Sequence, residues 1–126
     1  LMNQVHTLAE KYPELIEETY NSIEDVVMFA KTALLDTNWE SVGQLMNMNQ
    51  GFLSVLGVST KKLEDMIYGV RDAGGYGAKL SGAGGGDCMI ALASDEKRKA
   101  VEDAITQAGG EVIQVKANAE GVRVEK

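Results

Sequence analysis

Hydrophobic positions follow two different periods along this chain, and the change falls close to residue 75. Before that point apolar side chains recur at three- and four-residue steps, the spacing that gathers them on one face of a helix. Ile16, Tyr20, Ile23, Val27, Ala30 and Leu34 form the first such stripe. Pro13 stands just ahead of it and suits a first helical turn, where a missing N–H leaves nothing unsatisfied. Residues 1–11 read as the end of a preceding helix. Thr37 and Glu40 match a capping box, each satisfying a free amide of the other's turn. The helix they open carries Val42, Leu45, Phe52, Leu53 and Leu56 on one face. A third helix is predicted from Ser59 or Thr60, with Leu63, Met66, Ile67 and Val70 inward and a stop at Gly74-Gly75.

Beyond that the pattern belongs to strands. Residues 77–81 are short and extended, and 87–93 are a nearly continuous apolar run that suits a strand covered on both faces. Ser94 or Asp95 can cap a helix with Val101, Ala104, Ile105 and Ala108 inward, ending at Gly109-Gly110. Residues 111–117 and 121–125 read as two strands around a turn at Asn118-Ala119-Glu120-Gly121. No repeat or linker divides the chain. The expectation is one α+β domain over residues 1–126, with three long N-terminal helices, a mainly antiparallel four-stranded sheet, and one helix between strands.

Composition narrows the partners. The chain has 126 residues, 44% hydrophobic and 25% charged, the profile of a globular domain able to bury one core. Its net charge of −7 repels nucleic-acid backbones and anionic lipid surfaces, so neither is expected as a partner. A small anion remains compatible, because converging backbone N–H groups bind anions locally whatever the global charge. Cys88 is the single cysteine, which excludes an intrachain disulfide and a cysteine-held metal; a reducing, cytoplasmic setting is expected. No apolar run approaches the ~20 residues needed to cross a bilayer. The start, Leu1-Met2-Asn3, has no signal-peptide pattern, and a fragment beginning within a helix would look like it.

The chemistry concentrates in Gly77-Ala78-Lys79-Leu80-Ser81-Gly82-Ala83-Gly84-Gly85-Gly86-Asp87-Cys88. The six residues 81–86 contain four glycines, more than a hairpin turn requires. Such a run lets a backbone come close to a ligand and turn successive N–H groups on an anion, with Lys79 and the Ser81 hydroxyl as further donors. It is neither a Walker A loop nor a dinucleotide fingerprint, since no Gly-Lys-Ser/Thr ends it and Asp87 replaces the third glycine. Spacing alone leaves two readings open: an anion-binding loop, or a structurally constrained β-connection.

Residues 77–92 resemble the third conserved motif of the GHMP kinases, the superfamily of galactokinase, homoserine, mevalonate and phosphomevalonate kinases. The lysine before the loop and the cysteine after it are most similar to the mevalonate kinase branch. So is Met48-Asn49-Gln50-Gly51-Phe52-Leu53-Ser54-Val55-Leu56-Gly57-Val58-Ser59 upstream. The resemblance runs over essentially the whole chain and implies a ferredoxin-like C-terminal GHMP kinase domain. The resemblance also implies an ATP-binding N-terminal domain, with the main phosphate loop, the Mg2+ ligands and the catalytic aspartate, which is expected to lie outside this segment. The resemblance assigns Gly82, Ala83, Gly84, Gly85 and Gly86 to the phosphate and substrate site, with Ser81 and Lys79 as secondary members. It places no catalytic residue and no metal ligand in this segment. Asp87 departs from the usual glycine, and a carboxylate beside phosphate is repulsive, so it is expected to point away. The implied function is transfer of the ATP γ-phosphate to the primary hydroxyl of mevalonate in isoprenoid precursor synthesis, with the segment alone inactive. Another GHMP small-molecule kinase, such as a phosphomevalonate kinase, is the alternative within the superfamily; a non-catalytic ligand-binding or interaction domain is the alternative outside it.

Other side chains carry plainer expectations. His6 is read as surface, Cys88 as a buried inert thiol, and Met46 and Met48 as packing. Trp39 is packing or partly exposed, and Glu14, Glu17, Glu18, Glu24 and Asp25 are a solvated face. Asn49 falls within an apolar stripe and is read as a structural hydrogen bonder, with substrate contact as the other reading. Arg71 and Lys79 suit either the carboxylate of mevalonate or surface ion pairs. An apolar patch around residues 77–86, where the missing domain would dock, is expected to favour homo-oligomers.

Overall fold

The computed structural model describes residues 2–81, 88–114 and 122–125. The elements are α1 (Met2–Lys11), α2 (Pro13–Leu35), α3 (Trp39–Val55), α4 (Lys61–Asp72), β1 (Gly77–Leu80), β2 (Met89–Leu92), α5 (Arg98–Gln107), β3 (Val112–Gln114) and β4 (Val122–Glu125). The strands form a small antiparallel sheet in the order β1-β2-β4-β3. The turn expected at residues 118–121 lies outside the described residues.

Four helices precede the sheet among the described residues, the three long ones expected and a shorter one over Met2–Lys11, where the sequence reads as the end of a helix. Residues 2–11 are a helix of their own because Tyr12, the residue before Pro13, is barred from helical geometry and takes φ −132°, ψ 63°. The cap of α3 also differs from expectation. Asn38, not Thr37, is the N-cap, its Oδ1 accepting the Ser41 N–H at 3.2 Å. Thr37 is already committed to ending α2. It sits at φ 51° while Thr37 N and Asn38 N donate back to the Leu34 and Ala33 carbonyls. Likewise α5 begins at Arg98 without a side-chain cap, and Ser94 instead closes the turn ahead of it by accepting from Lys97 N. The stops at Gly74 and Gly109 are as expected, each glycine at positive φ with its successor's N–H returned to the helix.

The main core is built around α4. Leu63, Met66, Ile67 and Val70 are fully buried against Ala78 and Leu80 of β1, Met89 and Ala91 of β2, and Val101 and Ile105 of α5. A smaller cluster of Ala33, Val42 and Leu92, with Trp39, Leu45, Met46 and Tyr76, joins α2 and α3 to β2. On α2 the stripe read in the sequence holds at Ile16, with Ile23 and Ala30 half-buried, but further along it shifts by one residue to Val26 and Ala33. Ile16, Val26 and Ala33 are buried, while Tyr20, Val27 and Leu34 are exposed. Several three- and four-residue stripes compete on this helix, and only its angle against α3 selects among them.

Two further expectations are corrected. Met48 is exposed rather than packed, since it lies on the face of α3 turned away from the sheet. Cys88 is half-buried, because β2 starts one residue later. The apolar patch does not form around the described part of 77–86, where Gly77, Ala78 and Leu80 are buried. Exposed apolar side chains gather on α2 instead, with Met28, Phe29 and Leu35 outward. His6 and the acidic positions of α2 are exposed as read, and His6 Nε2 lies 3.0 Å from Glu10.

Candidate functional site

β1 is an edge strand, and an edge strand leaves alternate N–H groups without a ladder partner. Here α3 supplies the partners. Asn47 Oδ1 accepts from Ala78 N at 3.0 Å, and Gln50 Oε1 accepts from Leu80 N at 2.8 Å. Residues three apart on a helix share a face, and residues two apart on a strand share a side, so the two amides match the two N–H groups. The helix can come this close because Gly43 and Gly77 meet backbone to backbone, with no room for a Cβ on either. Each amide is itself held. Asn47 Oδ1 also accepts from Arg71 Nε at 3.0 Å, and Gln50 Nε2 donates to Ser59 Oγ at 2.9 Å and to Glu64 Oε1 at 3.2 Å.

The strand so held leads into the glycine run. Ser81 N donates to Cys88 O at 3.1 Å, one step beyond the β1–β2 ladder, and so ties the two ends of the connection. Gly82, Ala83, Gly84, Gly85, Gly86 and Asp87, which the sequence singles out, lie outside the described residues. Ser81 and Cys88 stand half-buried at the base of that connection.

Lys79 is half-buried beside it, and its Nζ donates to Leu80 O at 2.7 Å rather than to a carboxylate. Burial pushes its ammonium pKa below the ordinary 10.5. It lines a cavity of about 170 Å³ between α2 and α3 with Val26, Ala30, Leu45, Met46 and Asn49. Asn49 Oδ1 is buried there and has no hydrogen-bond partner among the described residues. The structural amide bond expected of Asn49 is therefore made by Asn47 and Gln50, on the adjoining face of the same helix. A signal for them was present: amides at positions 47 and 50 lie on the same helical face as Gly43, the small residue that permits close approach. Among the described residues Arg71 makes no carboxylate pair either; besides its bond to Asn47, its guanidinium lies 5.0 Å from the Tyr68 ring.

The Lys79 environment gives a pH prediction. A lowered folded-state pKa means that the charged form is penalised in the folded chain at neutral pH. That penalty lifts as pH rises through the folded value towards the unfolded 10.5. Over that window the unfolded state holds more protons than the folded state, so wild-type stability gains with pH. Lys79→Met keeps the stem and removes the charge. Its stability relative to wild type is expected to be most favourable at neutral pH and to decline towards pH 10.5. Urea unfolding at several pH values reads this, and a difference that does not vary with pH would mean that the ammonium is solvated.

Among the described residues no group of three or more His, Cys, Asp or Glu side chains could hold a metal ion. No described helix is long and apolar enough to cross a membrane.

Comparison with known proteins bears on this arrangement. The family model described as GHMP kinases C terminal matches residues 30–111. A mevalonate kinase from Thermococcus gammatolerans is 46% identical over 131 aligned residues, which cover all of this chain and 39% of that protein. One from Pyrococcus furiosus is 42% identical with the same coverage, 100% of this chain and 39% of that protein. The crystal structure of L. major mevalonate kinase in complex with R-mevalonate superposes with a TM-score of 0.77 at 28% identity, over 98% of this chain and 36% of that one. A Lin0012 protein from Listeria innocua shares the fold with a TM-score of 0.77 at 20% identity, over 97% of this chain and 36% of that one. The chain thus spans 39% of the length of these two curated relatives.

Proposed function

The chain belongs to the GHMP kinase C-terminal family, and on that premise we propose that it is the C-terminal domain, residues 1–126, of an ATP-dependent mevalonate kinase. The whole enzyme transfers the γ-phosphate of ATP to the primary hydroxyl of mevalonate, in isoprenoid precursor synthesis and in the cytoplasm. The observation that carries this reading is physical as well as textual. The two segments most similar to mevalonate kinases, 48–59 and 77–88, are far apart in sequence. Yet Gln50 of the first holds Leu80 of the second through a buried hydrogen bond of 2.8 Å. A helix clamped to the strand that leads into a glycine run suits an enzyme whose catalysis rests on positioning phosphoryl oxygens.

This reading implies a division of labour. ATP supplies the transferred group and Mg2+ neutralises its charge when bound, but the described residues offer that ion no ligand cluster. The family resemblance assigns the metal ligands and the catalytic aspartate to an N-terminal domain. This chain contributes the ferredoxin-like sheet, the stem Lys79-Leu80-Ser81 and the glycine positions 82–86. Lys79 and Ser81 are the donor-bearing side chains of that stem.

The test is ADP release by the two-domain protein and by residues 1–126 alone, with R-mevalonate and with phosphomevalonate as acceptors. Mevalonate-dependent release by the two-domain protein only is the expected result. Turnover with phosphomevalonate in its place would move the assignment to the other branch of the superfamily. Turnover by the 126-residue chain alone would overturn the division of labour.

A further inference from the structure

We propose that Gln50 is a positioning residue for phosphoryl transfer, and that Glu64 and Ser59 set its orientation. The proposal rests on the kinase reading above. Gln50 is 1% exposed and is the one buried polar side chain among the described residues. Which end of its amide faces β1 is fixed by chemistry: the Leu80 N–H is a donor, so only the amide oxygen can meet it. The NH2 then points the other way, and both of its hydrogens find acceptors, Ser59 Oγ at 2.9 Å and Glu64 Oε1 at 3.2 Å. Ser54 Oγ donates to the same Glu64 oxygen.

One amide therefore joins three elements: the middle of α3, the first turn of α4, and the last residue of β1. Its hold on Leu80 is matched from the other side, because Lys79 Nζ donates to the Leu80 carbonyl at 2.7 Å. The peptide groups on either side of Leu80 are thus gripped, the N–H by Gln50 and the C=O by Lys79. Ser81, the next residue, closes the base of the glycine run through its bond to Cys88 O. Rotating the Gln50 amide would set a donor against a donor at Leu80 N, and an apolar replacement would leave that N–H buried and unmet. A group held so strictly fixes Leu80 and, through it, Ser81, the described stem of the proposed phosphate site, and small displacements there are magnified in the rate of transfer.

The test exploits the polarity of the network, in the two-domain enzyme. Gln50→Glu still accepts from Leu80 N but sets two carboxylates face to face at Glu64. The double variant Gln50→Glu, Glu64→Gln restores donor to acceptor with the net charge unchanged from wild type. The single variant is expected to lose at least about tenfold in kcat, with KM for ATP and mevalonate little changed. It is also expected to exchange the Leu80 amide hydrogen faster. The double variant should recover both. An active wild type whose Gln50→Glu form keeps its kcat while its Tm falls would overturn the positioning role and leave a structural prop. A double variant that regains Tm but not kcat would overturn the proposed orientation by Glu64. A wild type without mevalonate-dependent turnover would overturn the kinase reading itself, and the role with it.

Discussion

Gly77→Ala is expected to destabilise the chain by about 3 kcal/mol or more, because the added methyl meets backbone and nothing can rotate away. A Cβ on Gly77 would lie 2.1 Å from Gly43 O and 2.7 Å from Gly43 Cα, and a Cβ on Gly43 would lie 2.1 Å from Tyr76 O. Relief requires α3 to move off β1. That movement would stretch the Asn47–Ala78 and Gln50–Leu80 hydrogen bonds together, so the steric and polar losses add. The cause is contact and not conformation, since Gly77 is not at positive φ. Gly51→Ala, on the same helix, is the control: a Cβ there meets nothing within 4 Å. Replacing a helical glycine in open space is expected to stabilise by up to about 1 kcal/mol. Urea unfolding of the three proteins measures both effects. A Gly77→Ala variant as stable as wild type would mean that α3 does not press on the strand.

Ile67→Ala is expected to remove about 2–5 kcal/mol, the range for emptying a well-packed aliphatic site. Ile67 is 0% exposed and belongs to the cluster that joins α4 to the sheet and to α5. Neither the strands nor α5 can collapse into the space without giving up contacts of their own. Phe29→Ala removes more carbon atoms, but Phe29 is 67% exposed, and the change is expected to stay within about 0.5 kcal/mol. Equal losses at the two positions would show that the outward face of α2 is covered in solution.

These expectations separate what was legible in the sequence from what was not. The α4 stripe Leu63, Met66, Ile67 and Val70 was read without error, because it is narrow, bounded by a Thr60 cap and a glycine stop, and admits one amphipathic solution. The α2 stripe holds at Ile16 but shifts by one at Val26 and Ala33, because Val26 and Val27, and Ala33 and Leu34, are adjacent apolar pairs; composition cannot say which member of a pair turns inward. Thr37 matched a capping box by pattern, yet the preceding helix claims it for its own termination. At the site, the glycine run and the Asn-Gln segment were each visible as sequence. Asn47 and Gln50 share a helical face with Gly43, but that this face meets β1 while Asn49 lines a cavity is decided only by packing, since one residue along a helix turns a side chain through about 100°.

By itself the sequence determined the order and type of the elements, the glycine-rich connection and the resemblance to GHMP kinases, because periodicity, caps and motifs are written locally. Tertiary structure alone decided which amides satisfy the edge of β1, why Gly43 and Gly77 must both lack a side chain, and why Gln50 can face only one way. Those facts depend on two segments about thirty residues apart meeting at hydrogen-bonding distance, as in the Gln50–Leu80 bond across 30 positions. No local pattern encodes such a distance; it is set by the packing of α3 and α4 around a strand whose unpaired N–H groups had to be met.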